Sequence, residues 1–374
     1  MRAICRFFGP FLAVISVSSC AAPKAHVFAA TASEAEADGT LSKEKRDAID
    51  ARVRDALERA DIVGLGLAVV VGDHIAYARG FGLADVAKKI PVDTNTRFRL
   101  ASISKLFTAV ATMHEVEAGH LSLDAPVQTY VPSFPMKPWP VTARELITHT
   151  SGIRHYRGAE MISRVHYDDL ITPLAIFSAD PLLFEPGTKF SYSSYGFNLL
   201  GAEVEAAAHR SFADEIAAVV FQPAEMITAG IDDETQHPAR AKGYAIADGE
   251  VKDAPAFDPS NKIPSGGFLT TASDLARFAI AMDRDRLVRA ETKRAMWTKQ
   301  TLVDGTATSY GLGFGVGKWN GLQTIVHDGG QPGTSTALFM IPEKKSAFVV
   351  LTNTSDIKLD TLTHDLATIV LEAD

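Results

Sequence analysis

From Gly64 to Gly82 the chain reads "GLGLAVVVGDHIAYARGFG", two apolar runs broken at Gly72-Asp73. A turn dipeptide between such runs predicts an antiparallel hairpin. Near the other end, "LQTIVHD", "TALFMI" and "AFVVLT" are short β-branched and aromatic runs joined by turns such as "PEKK". They predict consecutive antiparallel strands. Helical spacing takes over elsewhere. Ser42 precedes a stripe of Ile49, Val53 and Leu57, so a helix is expected there under a serine N-cap. From Ile103, the positions Leu106, Val110 and Met113 recur at helical spacing as far as Gly119. Leu199, Leu200 and Val204 mark another helix, and Leu359, Leu362, Leu366 and Ile369 one more at the C-terminus.

These elements predict an α/β fold of the α+β type, an antiparallel sheet flanked by helices with a mainly helical second lobe. The sheet lobe is expected over about 42–118 and 300–374, and the helical lobe over about 119–300. The first and last helices should share one face of the sheet, and the helix after Ser102 the other. Composition agrees with one large or two intermingled domains over a unit of 42–370: the 374 residues are 46% hydrophobic and 22% charged. A net charge of −8 argues against a nucleic-acid partner, which wants a concentrated basic face.

The N-terminal segment reads as something other than fold. Arg2 and Arg6 precede "FLAVISVSS", an apolar run too short to span a bilayer, so residues 1–19 are expected to be a signal peptide. "VSSC" resembles the lipobox of bacterial lipoproteins, which implies cleavage before Cys20 and lipid on its thiol; a plain cut nearby, such as after Ala30, is the alternative. The expected location is the periplasmic side of a bacterial envelope, on a membrane. Residues 20–41 are rich in Ala and small polar residues without a period and read as a flexible tether. Cys5 lies in the segment to be removed, so no intrachain disulfide is expected.

The motif S-x-x-K occurs at Ser42/Lys45, Ser102/Lys105 and Ser355/Lys358. The first falls in a charged opening turn and reads as a solvated face, and the last should help start the C-terminal helix. Ser102 is different. At the first turn of its helix it meets free N–H groups and the positive end of the dipole, and Lys105 shares its face. Far downstream lie Tyr192-Ser193-Ser194, the only tyrosine of eight followed two residues on by Ser or Asn, and His327-Asp328-Gly329-Gly330, the only histidine of eleven followed so by Gly. His149 in "THTSG" reads as a hydrogen bonder at a turn, while His155 and Tyr156 either line the cleft or pack beneath it. His114-Glu115 begins like a zinc motif, yet the next histidine is His120, so the i, i+4 pair is missing and neither metal nor cofactor is expected.

The trio S-x-x-K, Y-x-[SN] and [KH]-x-G, in this order, resembles the serine hydrolases related to class C β-lactamases and penicillin-binding DD-peptidases. "LITHTSGI", "FEPGTKFSYSS", "GGFLTTASDLARF" and "YGLGFG" extend the likeness over roughly residues 45–370. "ASISK", "SGIRHY" and "YVPSFP" are similar to the mitochondrial β-lactamase-like branch and its bacterial relatives. The resemblance implies Ser102 as nucleophile, Lys105 and Tyr192 acting together on its proton, and backbone N–H groups of Ser102 and Gly330 holding the oxyanion. It gives Ser194, His327, Asp328 and Gly329 substrate-binding or supporting places.

A serine hydroxyl needs a base to attack a carbonyl, and a crowded amine of depressed pKa or a tyrosine beside a cation can serve. Which of Lys105 and Tyr192 is the base stays open. His327 stands where many relatives have lysine and could give a hydrogen bond or charge to Tyr192 or to a substrate carboxylate. Ser194 replaces the usual asparagine. Asp328 adds negative charge, so a peptide or ester substrate is favoured over a β-lactam or a D-Ala-D-Ala stem. The alternatives are a β-lactamase or DD-peptidase, or a catalytically silent binding module.

Overall fold

The computed structural model describes residues 31–33, 35–233 and 239–372. The expected signal segment 1–19, Cys20 and the first part of the tether lie outside the described residues. Seven strands form one antiparallel path: β1 (Glu36–Ala37), β3 (His74–Asp85), β2 (Gly64–Val71), β13 (Ser346–Thr352), β12 (Thr334–Ile341), β11 (Leu322–Gln331) and β10 (Gly315–Trp319), with β4 (Ile90–Pro91) paired to β3. The hairpin turns at Gly72-Asp73, as the run pattern predicts. Both faces of the sheet are covered, which explains why its central strands are continuously apolar rather than alternating. Leu65, Leu67 and Val69 of β2 join Phe348 and Val350 of β13 in the core beneath the first and last helices. Ala68 and Val70 join Val349 and Leu351 in the core on the opposite side.

The first helix, α1 (Lys43–Arg59), starts under Ser42, whose Oγ accepts the Lys45 N–H at 3.2 Å, and it buries Ile49, Val53 and Leu57. It packs against α9 (Asp360–Leu371). Lys45, expected on a solvated face, instead donates to the Val370 and Glu372 carbonyls at the end of α9, at 3.1 and 2.9 Å. That is a favourable place for a cation, since the carbonyl end of a helix carries its negative pole.

Three further expectations are corrected. The last part of the tether is not free, because β1 pairs with β3, the Gly82 N–H donates to the Thr31 carbonyl (2.7 Å) and Arg79 Nε to the Ser33 carbonyl (2.8 Å). Strand addition at an edge uses main-chain groups, so it left no side-chain pattern to read. Ser355 does not start the last helix; its Oγ accepts the Gly333 N–H at 2.7 Å and donates to the Tyr244 carbonyl at 3.2 Å. Finally, the helix after Ser102, α2 (Ser104–Ala118), packs chiefly on α4 (Ser194–Ala208) and the short α6 (Ile263–Gly266), inside the helical part. The helix on the second face of the sheet is α7 (Ala272–Asp283), which packs on β2, β13 and β3 although its residues fall in the range expected for the helical lobe. All-apolar strands bury equally well under either helix, so periodicity cannot say which one covers them.

Candidate active site

Ser102 lies in a single 3₁₀ turn, Ala101–Ile103, that leads into α2. The residue before it, Ala101, has φ +48° and is fully enclosed, a left-handed backbone that costs a non-glycine residue about 1–3 kcal/mol. Surrounding contacts hold it there. Leu100 donates its N–H to the Phe268 carbonyl (2.9 Å) and accepts the Thr336 hydroxyl (2.9 Å) on its own carbonyl. The turn therefore hangs between β9 (Phe268–Thr270) and β12, and presents Ser102 to the cleft.

Lys105 is completely buried, with Nζ 3.1 Å from Ser102 Oγ, 3.0 Å from Ser194 Oγ and 2.8 Å from the Ser265 carbonyl. A carbonyl can only accept, so one amine hydrogen goes to Ser265. A neutral amine then has a second hydrogen for Ser194 and a lone pair directed at the Ser102 hydroxyl. Burial holds the Lys105 pKa well below its ordinary value. The positive N-terminal ends of α2 and α4 also meet at this amine and disfavour its charged form.

The Tyr192 ring centroid is 5.0 Å from Lys105 Nζ. Burial raises its phenol, and an interaction with the Ser102 hydroxyl offsets part of the rise. Two histidines fix this segment. His149 Nδ1 accepts the Ser193 N–H at 3.1 Å, and His155 Nδ1 accepts the Ser194 N–H at 3.0 Å. Their rings lie 4.2 and 5.7 Å from that of Tyr192. Accepting at Nδ1 requires both rings to be neutral with the proton on Nε2. Ser193 caps α4 by accepting the Gly196 N–H at 3.0 Å, so Ser194 opens the helix directly at the amine. Tyr156, read as either lining the cleft or lying under it, approaches the Ser265 hydroxyl at 3.3 Å and interacts with Ser194; burial pushes its pKa up to about 12.

Beyond Val326, which pairs with Gly315 at the start of β10, residues 327–331 of β11 continue with β12 on one side and the Ser102 turn on the other. At Gly329 an added Cβ would stand 2.2 Å from Thr336 Oγ1, 2.3 Å from the Leu100 carbonyl and 3.1 Å from the Ser102 nitrogen. At Gly330 it would meet nothing within 4 Å. The strand thus abuts the nucleophile turn through Gly329 and opens to the cleft at Gly330. The cleft encloses about 720 Å³, lined among others by Ser102, Tyr192, Tyr310, His327, Asp328 and Gly330.

The charge considered for His327 is disfavoured by its burial. Its Nδ1 is 2.8 Å from the Asp328 carbonyl and its Nε2 2.9 Å from the Tyr310 hydroxyl, so both nitrogens are engaged away from Tyr192. Burial, aided by Lys105, lowers its pKa from 6.5 to about 3. Tyr310 was not identified from sequence, although it opens the quoted "YGLGFG"; nothing in that string distinguishes a tyrosine that braces a histidine from a core aromatic. Asp328 is exposed on its strand, yet desolvation within the cleft and then Asp360 raise it, to about 6. Asp356, Lys358 and Asp360 line the same cleft.

Neutral buried histidines make stability depend on acid. His155, lowered by burial to about 4, and His327 stay unprotonated when folded but charge near 6.5 when unfolded. The unfolded chain then binds more protons, so their contribution is full above 6.5 and is lost as pH falls from 6.5 toward about 4 and 3. Urea midpoints across this window are expected to drop, and less steeply in His155→Asn, whose amide oxygen can still accept the Ser194 N–H. An equal slope in that variant would remove His155 as a source.

The chain matches the family described as "Beta-lactamase" over residues 49–371. It is 28% identical to the human serine beta-lactamase-like protein LACTB, mitochondrial, over 78% of this chain and 71% of that protein. It is 30% identical to a D-aminopeptidase of Cereibacter sphaeroides, over 82% of this chain and 60% of that one. The solved octameric penicillin-binding protein homologue from Pyrococcus abyssi superposes with a TM-score of 0.77 at 25% identity, over 87% of this chain and 77% of that one. The chain has the penicillin-binding and β-lactamase-like fold. With the family matched over nearly all of the described residues, and a serine and a phenol lining one cleft with a buried amine beside the serine, the chain belongs to the beta-lactamase family of serine hydrolases.

Proposed function

We propose that Ser102 opens an amide or ester through a covalent acyl-enzyme, on the periplasmic side of a bacterial envelope to which a lipid on Cys20 holds the chain. The observation that carries this reading is the buried Lys105 amine 3.1 Å from Ser102 Oγ, with its other hydrogen-bonding capacity already spent on Ser194 and Ser265. As Oγ bonds to the carbonyl carbon, its proton passes to Nζ. The carbonyl oxygen takes up the electron pair and is met by the N–H groups of Ser102 and Gly330. Collapse breaks the bond to the leaving group, which Tyr192 protonates; the phenolate so formed takes a proton from the water that attacks the acyl carbon, and Nζ returns its proton to Oγ as the acyl bond breaks.

The cleft favours a peptide-type amide or an ester over a β-lactam. Its histidine is neutral, and three carboxylates face one ammonium, Lys358, along its wall, so a substrate carboxylate gains little. The similarity to a D-aminopeptidase points the same way. A fluorophosphonate probe is expected to label the protein and to fail on Ser102→Ala. Short nitrophenyl esters or amino-acid amides are expected to turn over faster than nitrocefin. Absence of labelling would leave a silent binding module, and rapid nitrocefin cleavage without ester cleavage would reverse the substrate assignment.

A further inference from the structure

The pair His114-Glu115 lacks a histidine four residues on, but a third group reaches it from elsewhere in the fold. His114 follows Ser102 by twelve residues on nearly the same helical run, which at 1.5 Å per residue puts it about 18 Å from the nucleophile. There α2 meets α5 (Phe212–Ile216), and α5 supplies Glu215. His114 Nδ1 is 3.4 Å from Glu115 Oε1 and 3.8 Å from Glu215 Oε1, and one donor atom from each residue lies within 4.8 Å of the others.

Two features separate this cluster from an ordinary surface ion pair. The Glu215 side chain is wholly buried, and neither of its oxygens receives a hydrogen bond; the Arg210 Nε stands 2.9 Å from Oε2, leaving Oε1 directed at His114 and Glu115. The Glu115 carboxylate is also almost enclosed, with His120 Nδ1 2.8 Å from its Oε2. Two enclosed carboxyl groups at this spacing repel unless a shared proton or a cation lies between them. Donors held about 2.0–2.1 Å from a tetrahedral ion stand roughly 3.3 Å apart, and the two observed separations from His114 are close to that.

We propose that His114, Glu115 and Glu215 form a binding site for a zinc-type divalent cation. His120 orients Glu115 through a hydrogen bond and Arg210 holds Glu215 by charge alone, each at the oxygen that faces away from the ion. One imidazole with two carboxylates suits zinc better than calcium or magnesium, which prefer all-oxygen shells. His114 is 40% exposed and gives the ion a way in. The bound ion ties the end of α2 to α5 and takes no part at Ser102.

The test uses the whole protein, stripped with a chelator and dialysed. Titrated with Zn²⁺, it is expected to take up one equivalent by calorimetry and elemental analysis and to melt at a higher temperature; Mg²⁺ is expected to do neither. His114→Gln, at a half-exposed position that leaves the fold intact, is expected to weaken zinc binding at least tenfold, as is Glu215→Gln, with fluorophosphonate labelling of Ser102 unchanged. No stoichiometric uptake by the unaltered protein overturns the proposal. So does uptake that survives both substitutions, since the ion then sits elsewhere.

Discussion

Lys105→Met is expected to lower the rate of Ser102 acylation about a thousandfold, measured as fluorophosphonate labelling or as kcat/KM for an ester. Methionine keeps the length of the side chain and fills the same enclosed space, so packing is conserved. What disappears is the lone pair beside Ser102 Oγ and the donor to the Ser265 carbonyl. A thousandfold is about 4 kcal/mol in the barrier. The loss to stability is smaller, about 1–3 kcal/mol for an acceptor left unpaired, and is offset because an amine no longer has to be buried. The fold should therefore survive an almost complete loss of activity. A pH profile sharpens the test. The neutral amine is the competent form and burial lowers its pKa, so wild-type activity is retained down to that lowered value and falls below it. Lys105→Met should lose this acid limb along with the rate. A near-normal rate, or an unchanged limb, would remove the amine from the proton path.

The second large effect separates two adjacent glycines. Gly329→Ala is expected to reduce activity about 100- to 1,000-fold, because its Cβ collides with the Leu100 carbonyl and Thr336 Oγ1 and drives β11 off the Ser102 turn. Two of the three atoms it meets are backbone, which yields only by moving the nucleophile turn, and overpacking of this kind costs about 1–3 kcal/mol of stability. Gly330→Ala points its methyl into open space and should melt as the unaltered protein does. Its effect on rate is expected to vary with the bulk of the substrate. Thermal melts and ester kinetics on both variants decide the matter. Equal activity in Gly329→Ala would mean that the strand does not have to approach the serine this closely.

This contrast also marks how far the site could be read in advance. The order of the three short motifs singled out Ser102, Lys105, Tyr192 and the His327–Gly330 stretch, and in the structure all but Lys105 line one cleft, with the Lys105 amine buried behind Ser102. That the close contact falls on Gly329 and not on Gly330 is not legible from sequence, since which face of a strand meets a neighbouring turn depends on tertiary placement. His149 and His155 carry no signal as the supports of Tyr192 and Ser194. Their role is to accept two consecutive backbone N–H groups, and a backbone group looks the same in every sequence. Tyr310 and Glu215 escaped for a related reason: each acts on a residue, His327 or His114, that periodicity cannot connect to it.

By itself the amino-acid order determined the elements and the chemistry at hand: the Gly72-Asp73 hairpin, the stripes of α1 and α9, the strands about His327, and a serine one helical turn from a lysine. These rest on short-range physics, namely side-chain period, turn conformation and spacing along a helix. Only the tertiary structure decided that α7 rather than α2 covers the second face of the sheet, that Glu36–Ala37 add to it, and that His327 and Lys105 are buried where their charged forms are disfavoured. Each of these is set by what lies across space. Desolvation and main-chain pairing depend on neighbours far along the chain, and only folding supplies them.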